Sequence, residues 1–338
     1  MDYFWLLRQL LSKLYLCNRG SRGETEVSVL KIGNRPVGPD FPPLVIAEIG
    51  INHNGCIKVA KNMVSQAARS GCEVIKHQTH FVSDEMTDEA RSIFPPNSDI
   101  SIWEIMEQSS LSPEDEMEMK RFTEQLGLIW LSTPFSRKAA DFLEELNVPA
   151  FKIGSGEVDN LPLIRHIAKK GKPVIMSTGM QTLKSIARSV NILEENNISY
   201  ALLECTNLYP SPPNIVSLKG VVELKKKFPN SVVGFSDHSM GPTMALAAVA
   251  LGANILERHF TDTRYRTGPD ISCSMDPAEL RFLIDRSKEV WQATRNEKER
   301  SKPEEEVYKF ARASVVADRN IKCGEIITEE NVWTKRPG

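Results

Sequence analysis

Two histidines at the ends of consecutive apolar stretches could share a metal ion. His238 follows the run that begins at Val232, and His259 closes the run that begins at Ile255, with an alanine-rich helical pattern between them. If both runs are neighbouring parallel strands, the two imidazoles reach the same edge of one sheet. Imidazole suits Mn, Co, Fe or Zn, and two histidines leave positions open for a substrate, unlike a closed structural zinc site. The spacing therefore indicates a catalytic metal site, although His238 taken alone is also explained as a structural histidine.

Almost every other apolar run also ends in polar or charged residues. Lysines and hydroxyl groups together could bind a phosphate and a carboxylate, and Glu48 or Glu157 could transfer protons. Taken singly, a lysine is explained as an ion-pair partner and a serine as a helix N-cap, so it is their joint occurrence that favours a site. His77 and His80 lie beside this set, whereas His166 belongs to a helical pattern and is interpreted as structural. The candidates are Glu48, Asn52, His53, Lys76, Gln78, Ser132, Thr133, Lys152, Ser155, Glu157, Ser177, Thr178, Asn207, Ser236, Asp237 and Arg258.

These candidates can meet only if the apolar runs form one parallel sheet. Eight runs begin at residues 44, 73, 128, 150, 173, 200, 232 and 255, and helical patterns separate them. Continuous rather than alternating apolar residues indicate strands that are buried on both faces. Eight such units over roughly 250 residues predict an α/β fold of the (β/α)8 TIM barrel type, with the active site at the carboxyl ends of the strands. A doubly wound open sheet is the rival, but its first turn usually reads G-x-G-x-x-G, and the turn here is GINHNG.

Composition narrows the class of protein. The net charge of −2 does not favour nucleic acid as a partner. The six cysteines are scattered without a C-x-x-C pair, which is typical of reduced thiols in a cytoplasmic protein. The N-terminal apolar stretch is too short and too charged to be a transmembrane segment. An amphipathic helix fits better, with one apolar face formed by Phe4, Leu7, Leu11 and Leu14. A poorly ordered extension is the favoured interpretation, and a membrane-surface or organelle-targeting role is the alternative.

The patterns divide the chain into four parts. Residues 1-30 are an N-terminal extension, and residues 31-295 form the barrel catalytic domain. The barrel includes a long excursion over residues 80-127, which could cover the barrel mouth. Residues 296-308 are a charged linker, and residues 309-338 begin a small β-rich module. Because so short a piece rarely forms a stable core alone, we expect this module to be truncated.

Several segments resemble a known enzyme family. They read IAEIGINHNG, IKHQT, STPFS, FKIGSGE, MSTGM, CTNLYPSPP, GFSDHS and LERHFTDTRYRTGPDISCSMDP. In this order they resemble the sialic acid synthase family, with the closest likeness to its bacterial N-acetylneuraminate synthases. The resemblance covers nearly everything from Lys31 to Gly338. The final stretch, ASVVADRNIKCGEIITEENVWTKRPG, looks like the start of the family's C-terminal antifreeze-like (SAF) module.

The resemblance implies a metal-dependent (β/α)8 barrel that works as a domain-swapped homodimer. Such an enzyme condenses phosphoenolpyruvate with N-acetylmannosamine and releases phosphate by C–O cleavage. The implied cofactor is Mn2+, or alternatively Mg2+ or Co2+, on His238 and His259. In the family an arginine of the partner's SAF module contacts the N-acetyl group, and no residue of this chain is assigned that role.

The resemblance also implies roles for individual residues, matched motif by motif. The implied catalytic residues are Glu48, Glu157, His238 and His259. The implied phosphoenolpyruvate pocket consists of Lys76, Thr133, Lys152, Ser155, Ser177, Asn207 and Ser236. Positions near the metal or the amino-sugar correspond to Glu48, Gln78, Glu157, Tyr209 and Asp270.

Two other functions stay open at this point. A related nonulosonate synthase would make legionaminic or pseudaminic acid from a different amino-sugar. The segment ERHFTDTRYRTGPDISCSMDP favours N-acetylneuraminate, but loops that the pattern does not place decide pocket specificity. A non-catalytic barrel with a binding or assembly role is the alternative from another class; the short C-terminal module favours it, and the intact set of strand-end residues argues against it.

Overall fold

The computed structural model describes residues 28–94 and 99–337. The chain divides into two compact units, one ending at Thr294 and one running from Arg295 to Gly338. The predicted N-terminal helix, with Phe4 and Leu7, lies outside the described residues, as does Pro95-Pro96 of the long excursion. None of the helices in the described part of the chain is both long enough and apolar enough to cross a membrane.

The first unit is built on eight parallel strands, preceded by a hairpin. The hairpin pairs β1 (Leu30–Ile32) with β2 (Arg35–Val37). The parallel strands are β3 (Leu44–Gly50), β4 (Val74–Thr79), β5 (Ile129–Pro134), β6 (Phe151–Ile153), β7 (Val174–Ser177), β8 (Tyr200–Cys205), β9 (Val232–Asp237) and β10 (Ile255–His259). Their order in the sheet is β5-β4-β3-β10-β9-β8-β7-β6, and β5 lies against β6, so the sheet is nearly closed into a barrel. The predicted (β/α)8 barrel is confirmed.

Helices follow the strands and pack outside the sheet. They are α1 (Ile57–Arg69), α2 (Val82–Glu85), α3 (Ile102–Ser109), α4 (Pro113–Gln125), α5 (Arg137–Glu145), α6 (Leu161–Ala168), α7 (Leu183–Glu195), α8 (Leu218–Lys227), α9 (Thr243–Ala250) and α10 (Pro277–Thr294). Short 3-10 helices cover Asp88–Ser92, Ser155–Glu157 and Ile271–Cys273. The excursion between β4 and β5 thus contains α2, α3 and α4 rather than an open loop.

Two apolar cores hold the barrel together. The larger one fills the layer between the outer faces of the strands and the helices. The smaller one fills the inside of the barrel at the amino ends of the strands, where Ile46, Leu131 and Ile255 meet Leu30 and Ile32 of the hairpin. The hairpin therefore closes the lower end of the barrel. Because the lower half of the interior is apolar, the polar residues are confined to the carboxyl ends of the strands.

The second unit is small. It contains α11 (Glu304–Ala311) and an antiparallel pair of strands, β11 (Ser314–Ala317) and β12 (Val332–Lys335). Asn331 is its most buried polar residue, and its amide donates to the carbonyl of Ile326 at 2.9 Å. Two short strands on either side of Cys323 agree with the predicted β-rich pattern, while the assignment to an SAF module stays a prediction.

Candidate active site

The upper half of the barrel interior encloses a cavity of about 150 Å³. It is lined by all of the residues that the resemblance assigns to the site, with the exception of Glu157 and Asp270. Phe135, Cys205 and Glu257 join them in its wall. Side chains alternate between the two faces of a strand, so the residues that meet here occupy every second position, such as Lys76 and Gln78 on β4.

Two buried lysines line this cavity. Lys76 forms an ion pair with Glu48 and donates a hydrogen bond to the hydroxyl of Thr133 at 3.0 Å. Lys152 donates to the hydroxyl of Ser177 at 2.8 Å, and its ammonium lies 3.4 Å from Glu257. Lys76 also lies 4.0 Å from Glu257, so this carboxylate faces both lysines, which reach the cavity from different strands of the barrel.

Burial and the neighbouring carboxylates shift the pKa values of this cluster in opposite directions. Burial alone would lower the pKa of Lys76, but the Glu257 and Glu48 carboxylates outweigh it and raise that pKa above the usual range. For Lys152 burial prevails over Glu257, and its pKa is lowered. Burial would raise the pKa of Glu257, but Lys152 and Lys76 hold it below its ordinary value. The cavity thus contains positive charge that an anionic ligand could engage once it displaces Glu257.

The two predicted metal ligands lie side by side above the lysines. The ring centroids of His238 and His259 are 5.3 Å apart, and the Tyr209 ring lies at 4.1 Å from that of His238, tilted by 35°. Burial and the neighbouring His259 lower the pKa of His238 to about 3, so its ring is neutral near pH 7. Nδ1 of His238 lies 2.8 Å from the carbonyl oxygen of Thr206, which can only accept. The hydrogen must be on Nδ1, and the lone pair of Nε2 is left free to bind a metal.

The donor set fits a divalent cation held by two histidines. His238 presents a neutral, oriented imidazole, and Nδ1 of His259 is buried without a hydrogen-bond partner. Within residues 28–94 and 99–337 no cluster of three or more His, Cys, Asp or Glu side chains is arranged to hold a metal ion. The remaining positions around a cation at this place would therefore belong to water or substrate, as in open catalytic sites.

A second, larger cavity of about 570 Å³ adjoins the first. The two share Gln78, Phe135, Tyr209 and His259 in their walls, so a molecule in one would touch a molecule in the other. Asp270 lines this second cavity, with its Oδ2 3.6 Å from Nδ1 of His259. We call it the acceptor cavity and the smaller one the donor cavity.

Glu157 is the assigned residue that the structure does not bring to either cavity. It ends the 3-10 helix after β6, and its carboxylate accepts a hydrogen bond from Asn160 at 2.6 Å. Burial raises its pKa, with the Asn160 hydrogen bond opposing. Its role in proton transfer stays a prediction that neither cavity wall supports.

Several other strand-end candidates point away from the cavities. Arg258 and Asp237 form a buried ion pair at 3.3 Å, and the arginine donates to the carbonyls of Ser239 and Gly241. Ser132 bonds to Thr79 on the outer side of the sheet. Asn52, His53 and Thr178 likewise have structural partners, namely Phe260, His77 and Leu203. None of these six lines either cavity, because strand alternation turns them outward or they are held in loop hydrogen bonds.

Glu257 is the functional candidate that the strand-end reasoning missed. It lies two residues before His259 on β10, and its carboxylate accepts from Ser236 at 3.2 Å and faces both lysines. The signal was present, because positions i and i+2 of a strand share a face. Applied to His259, this rule selects Glu257 and rejects Arg258.

One glycine explains how Asn207 approaches the donor cavity. Gly179 follows β7, and its amide donates to the hydroxyl of Ser155 at 3.0 Å. A Cβ at Gly179 would lie 2.0 Å from Oδ1 of Asn207, which is far inside van der Waals contact. Asn207 can therefore hold its place only while residue 179 has no side chain.

Comparisons with known proteins agree with this geometry. The NeuB family model matches residues 63–299. N,N'-diacetyllegionaminic acid synthase of Campylobacter jejuni is 38% identical over 302 residues, covering 87% of this chain and 90% of that protein. Human N-acetylneuraminate-9-phosphate synthase is 36% identical over 255 residues, covering 74% of this chain and 70% of that protein.

A solved structure gives the same result for the fold. The N-acetylneuraminic acid synthetase of Leptospira borgpetersenii, in complex with citrate, superposes with a TM-score of 0.76 at 26% identity. The match covers 83% of this chain and 95% of that one. The chain therefore belongs to the NeuB family, and it is a synthase of the sialic, legionaminic or pseudaminic acid type.

Proposed function

We propose that this protein condenses phosphoenolpyruvate with N-acetylmannosamine to give N-acetylneuraminate and phosphate. The observation that carries the proposal is the pairing of the two cavities. A small cavity with two buried lysines meets a larger one at His259, so an anionic donor and a neutral acceptor would lie in contact there. Holding two reactants in contact supplies a large part of the acceleration of a two-substrate reaction.

The donor cavity has the groups that a phosphorylated carboxylic acid needs. Lys76 and Lys152 provide two ammonium groups, and Thr133, Ser177 and Ser236 provide hydroxyls next to them. Ammonium and hydroxyl donors bind phosphate and carboxylate oxygens by charge-assisted hydrogen bonds. We assign phosphoenolpyruvate to this cavity, with its anionic groups replacing Glu48 and Glu257 as partners of the lysines.

His238 and His259 would hold the divalent cation, for which we propose Mn2+ with Mg2+ or Co2+ as alternatives. The free Nε2 of His238 supports this assignment. Such a cation supplies Lewis-acid polarisation of a carbonyl oxygen. His259 lines both cavities, and His238 lines the donor cavity beside it. A cation on these two histidines would therefore place the acceptor aldehyde where the two cavities meet.

In the reaction the methylene carbon of phosphoenolpyruvate forms the new C–C bond with the aldehyde carbon. The C=C and C=O π bonds are used up, and the aldehyde oxygen takes up a proton and becomes a hydroxyl group. Water then adds to the resulting oxocarbenium carbon, and the C–O bond to phosphate breaks, so phosphate leaves with the bridging oxygen. Glu48 accepts a hydrogen bond from Gln78 at 3.1 Å and lies against Lys76. It is thus placed at the border of the cavities, and we assign it the proton that the attacking water loses.

The proposal also includes the oligomeric state and the cellular compartment. We propose a homodimer in the cytoplasm, with the second unit of the chain as the beginning of an SAF module. The resemblance of the terminal segment supports the module and the dimer. Cys72, Cys205 and Cys273 are buried free thiols, which supports a reducing compartment.

A second candidate is a nonulosonate synthase that uses a different N-acylated amino-sugar. The 38% identity to the legionaminic acid synthase favours it, as does the presence of a pseudaminic acid synthase of Campylobacter jejuni at 32% identity. A non-catalytic barrel has less support, because the lysines, hydroxyls and histidines expected of the site all line the donor cavity.

The test is a phosphate-release assay on the full chain. Protein is incubated with Mn2+, phosphoenolpyruvate and each of a panel of N-acylated amino-sugars, and the products are identified by mass. We expect phosphate release that depends on the sugar, with a nonulosonic acid as the product. Phosphate release in the absence of any sugar would contradict the proposal. So would the absence of phosphate release with every sugar of the panel.

A further inference from the structure

The inward face of β4 continues past the end of the strand. Lys76 and Gln78 lie on this face and line the donor cavity, and His80 follows at the next alternate position. His80 lines neither cavity, and its side chain is 1% exposed. Its ring stacks on that of Phe135, which lines both cavities, with 4.6 Å between the ring centroids. His80 therefore lies behind the cavity wall rather than in it.

Both ring nitrogens of His80 have oxygen partners. Nε2 lies 3.2 Å from the amide oxygen of Gln78, and Nδ1 lies 2.8 Å from Oε2 of Glu85. An amide oxygen can only accept, so the hydrogen of the first bond must be on Nε2. A second hydrogen lies between Nδ1 and Glu85, because two lone pairs facing each other at 2.8 Å would repel. Glu85 thus holds the ring in the orientation that turns an N–H group toward Gln78.

Gln78 passes this orientation on to Glu48. Its amide nitrogen donates to Oε1 of Glu48 at 3.1 Å, while its amide oxygen faces His80. In the reversed amide, the oxygen would face the Glu48 carboxylate and the NH2 group would face the N–H of His80, so like groups would meet at both ends. The glycine at position 50 makes room for this contact, since a Cβ there would lie 2.8 Å from Oε1 of Glu48 and 3.0 Å from the amide nitrogen of Gln78.

The hydrogen-bonded series Glu85–His80–Gln78–Glu48, which we call the polar relay, begins in the excursion between β4 and β5. Glu85 is the last residue of α2, and its side chain is 10% exposed. This short helix is held against α5, because Asp84 accepts a hydrogen bond from the backbone N–H of Lys138 at 3.0 Å. The first member of the polar relay is thus fixed by packing outside the two cavities.

We infer that His80 is a positioning residue that fixes the carboxamide of Gln78 and, through it, the carboxylate of Glu48. The inference rests on the proposed function, in which Glu48 takes the proton of the attacking water. Glu48 also contacts Lys76, but in that function the anionic donor becomes the partner of this lysine. The hydrogen bond from Gln78 then has to keep Glu48 at the border of the two cavities, and it does so only while His80 prevents the amide from turning over.

His80→Phe tests the hydrogen bond separately from the packing. A phenyl ring can still stack on Phe135 but has no N–H group for Gln78. We expect kcat to fall about tenfold or more, as for the loss of a hydrogen bond that holds a charged group. KM for phosphoenolpyruvate should change less than about twofold, because both lysines stay in place. The measurement is phosphate release by the full chain with Mn2+ and the sugar that the wild type uses best. An unchanged kcat, or a loss that appears in KM alone, would overturn the inference.

A conservative variant keeps the test independent of folding. His80→Gln places an amide N–H group close to the position of Nε2 and should recover most of the kcat lost in His80→Phe. Ser83→Ala, an exposed position on α2, is the matched control and should behave like the wild type. Circular dichroism verifies that each variant is folded. If folded His80→Gln is as slow as His80→Phe, the donor role of His80 is wrong.

A pair of variants at Glu85 tests its part in the polar relay. Glu85→Gln can still donate a hydrogen bond to Nδ1 of His80, which leaves the hydrogen on Nε2, so this variant should retain most of its kcat. Glu85→Leu has no polar group there and should lose kcat in the same way as His80→Phe. Equal kcat values for the two variants would contradict the support that Glu85 gives to His80.

NMR spectroscopy separates this inference from the proposed function. The full chain is labelled with nitrogen-15 in its histidines and measured at neutral pH without substrates, and the signals of His80 are assigned by their loss in His80→Phe. We expect Nε2 of His80 to carry hydrogen. If the wild type turns over no sugar and Nε2 carries hydrogen, the proposed function fails and the polar relay stands. A hydrogen-free Nε2 would overturn the inference even in an active enzyme.

Discussion

Lys152 on β6 and Glu257 on β10 form an ion pair across the inside of the barrel, with 3.4 Å between Nζ and Oε1. In the sheet order these two strands stand opposite each other. The side chains are 3% and 8% exposed, so the pair is almost fully removed from water. Lys76 approaches the same carboxylate to 4.0 Å. One glutamate thus balances two lysines in the centre of the donor cavity.

Glu257→Gln should therefore destabilise the protein without its substrate and increase the stabilisation by phosphoenolpyruvate. The substitution keeps the shape but leaves two buried ammonium groups with less counter-charge, a change that costs about 3–5 kcal/mol in comparable buried pairs. An anionic ligand restores the balance. The measurement is the free energy of unfolding with and without phosphoenolpyruvate. Equal ligand-induced stabilisation of the wild type and the variant would contradict this role of Glu257.

His238→Ala and His259→Ala should each abolish metal-dependent turnover while leaving the fold intact. Both side chains face the donor cavity rather than the apolar cores, so their loss creates no cavity in the packing. His166→Ala is the control, because this histidine lies on α6 with Asp141 as its partner at 2.6 Å and should retain activity. Turnover is measured after chelation and Mn2+ add-back. Full activity in either cavity variant would show that the metal ligands are wrongly assigned.

Arg258→Met should lower stability much more than the substitutions at its neighbour His259. Its guanidinium pairs with Asp237 on the other face of the strand, and both side chains are 1% exposed. Removing one member of a buried pair leaves the other charged and unpaired, with an expected cost of about 3–5 kcal/mol. Urea unfolding of Arg258→Met and of His259→Ala measures the difference in their free energies of unfolding. If the two variants lost equal stability, the inward and outward assignment on β10 would be in doubt.

Glu116→Gln should change the pH dependence of stability. Burial raises the pKa of Glu116 to about 8, against a hydrogen bond from Thr79 that lowers it. The folded protein therefore retains a proton that the unfolded chain loses near pH 4.5, and the stability present below that pH is lost as pH rises to about 8. The contribution falls by about 1.4 kcal/mol per pH unit between these values.

The glutamine variant removes this contribution, so wild-type stability should decline relative to the variant between pH 5 and 8. Burial lowers the pKa of His53 and of His77 to about 3, so these neighbours stay neutral in that window and act alike in both proteins. Glu114→Gln, an exposed position on the same helix, serves as the control. Parallel stability curves for the wild type and Glu116→Gln would contradict the buried, protonated carboxyl.

The barrel could be predicted from the sequence because each strand is a continuous apolar run. Such a run can be recognised without knowing which strands lie beside it in the sheet. The hairpin Leu30–Val37 was missed, although Gly33-Asn34 between two short runs is a turn signal. Its three-residue strands are too short to show a period, and only packing against Ile46 and Ile255 makes them stable.

The site could be predicted only in part, because the local pattern does not show which side chains face the inside of the barrel. Strand ends identify which residues lie near the mouth, but not which of two adjacent residues points inward, and so Arg258 was included and Glu257 was not. The pairing of Lys152 with Glu257 depends on closure of the barrel, which brings together residues that are far apart in sequence. The wall that α3 contributes to the acceptor cavity, from Ile102 to Met106, depends on how the excursion folds back, which no local pattern specified.

The fate of the bridging oxygen of phosphoenolpyruvate tests directly whether the protein condenses the two substrates by C–O cleavage. The donor is labelled with oxygen-18 between C2 and phosphorus and incubated with the full chain, Mn2+ and N-acetylmannosamine. We expect phosphate to be released only when the sugar is present, and we expect this phosphate to carry the label, because the C–O bond breaks. Label in the organic product, or release of phosphate that does not depend on the sugar, would contradict it.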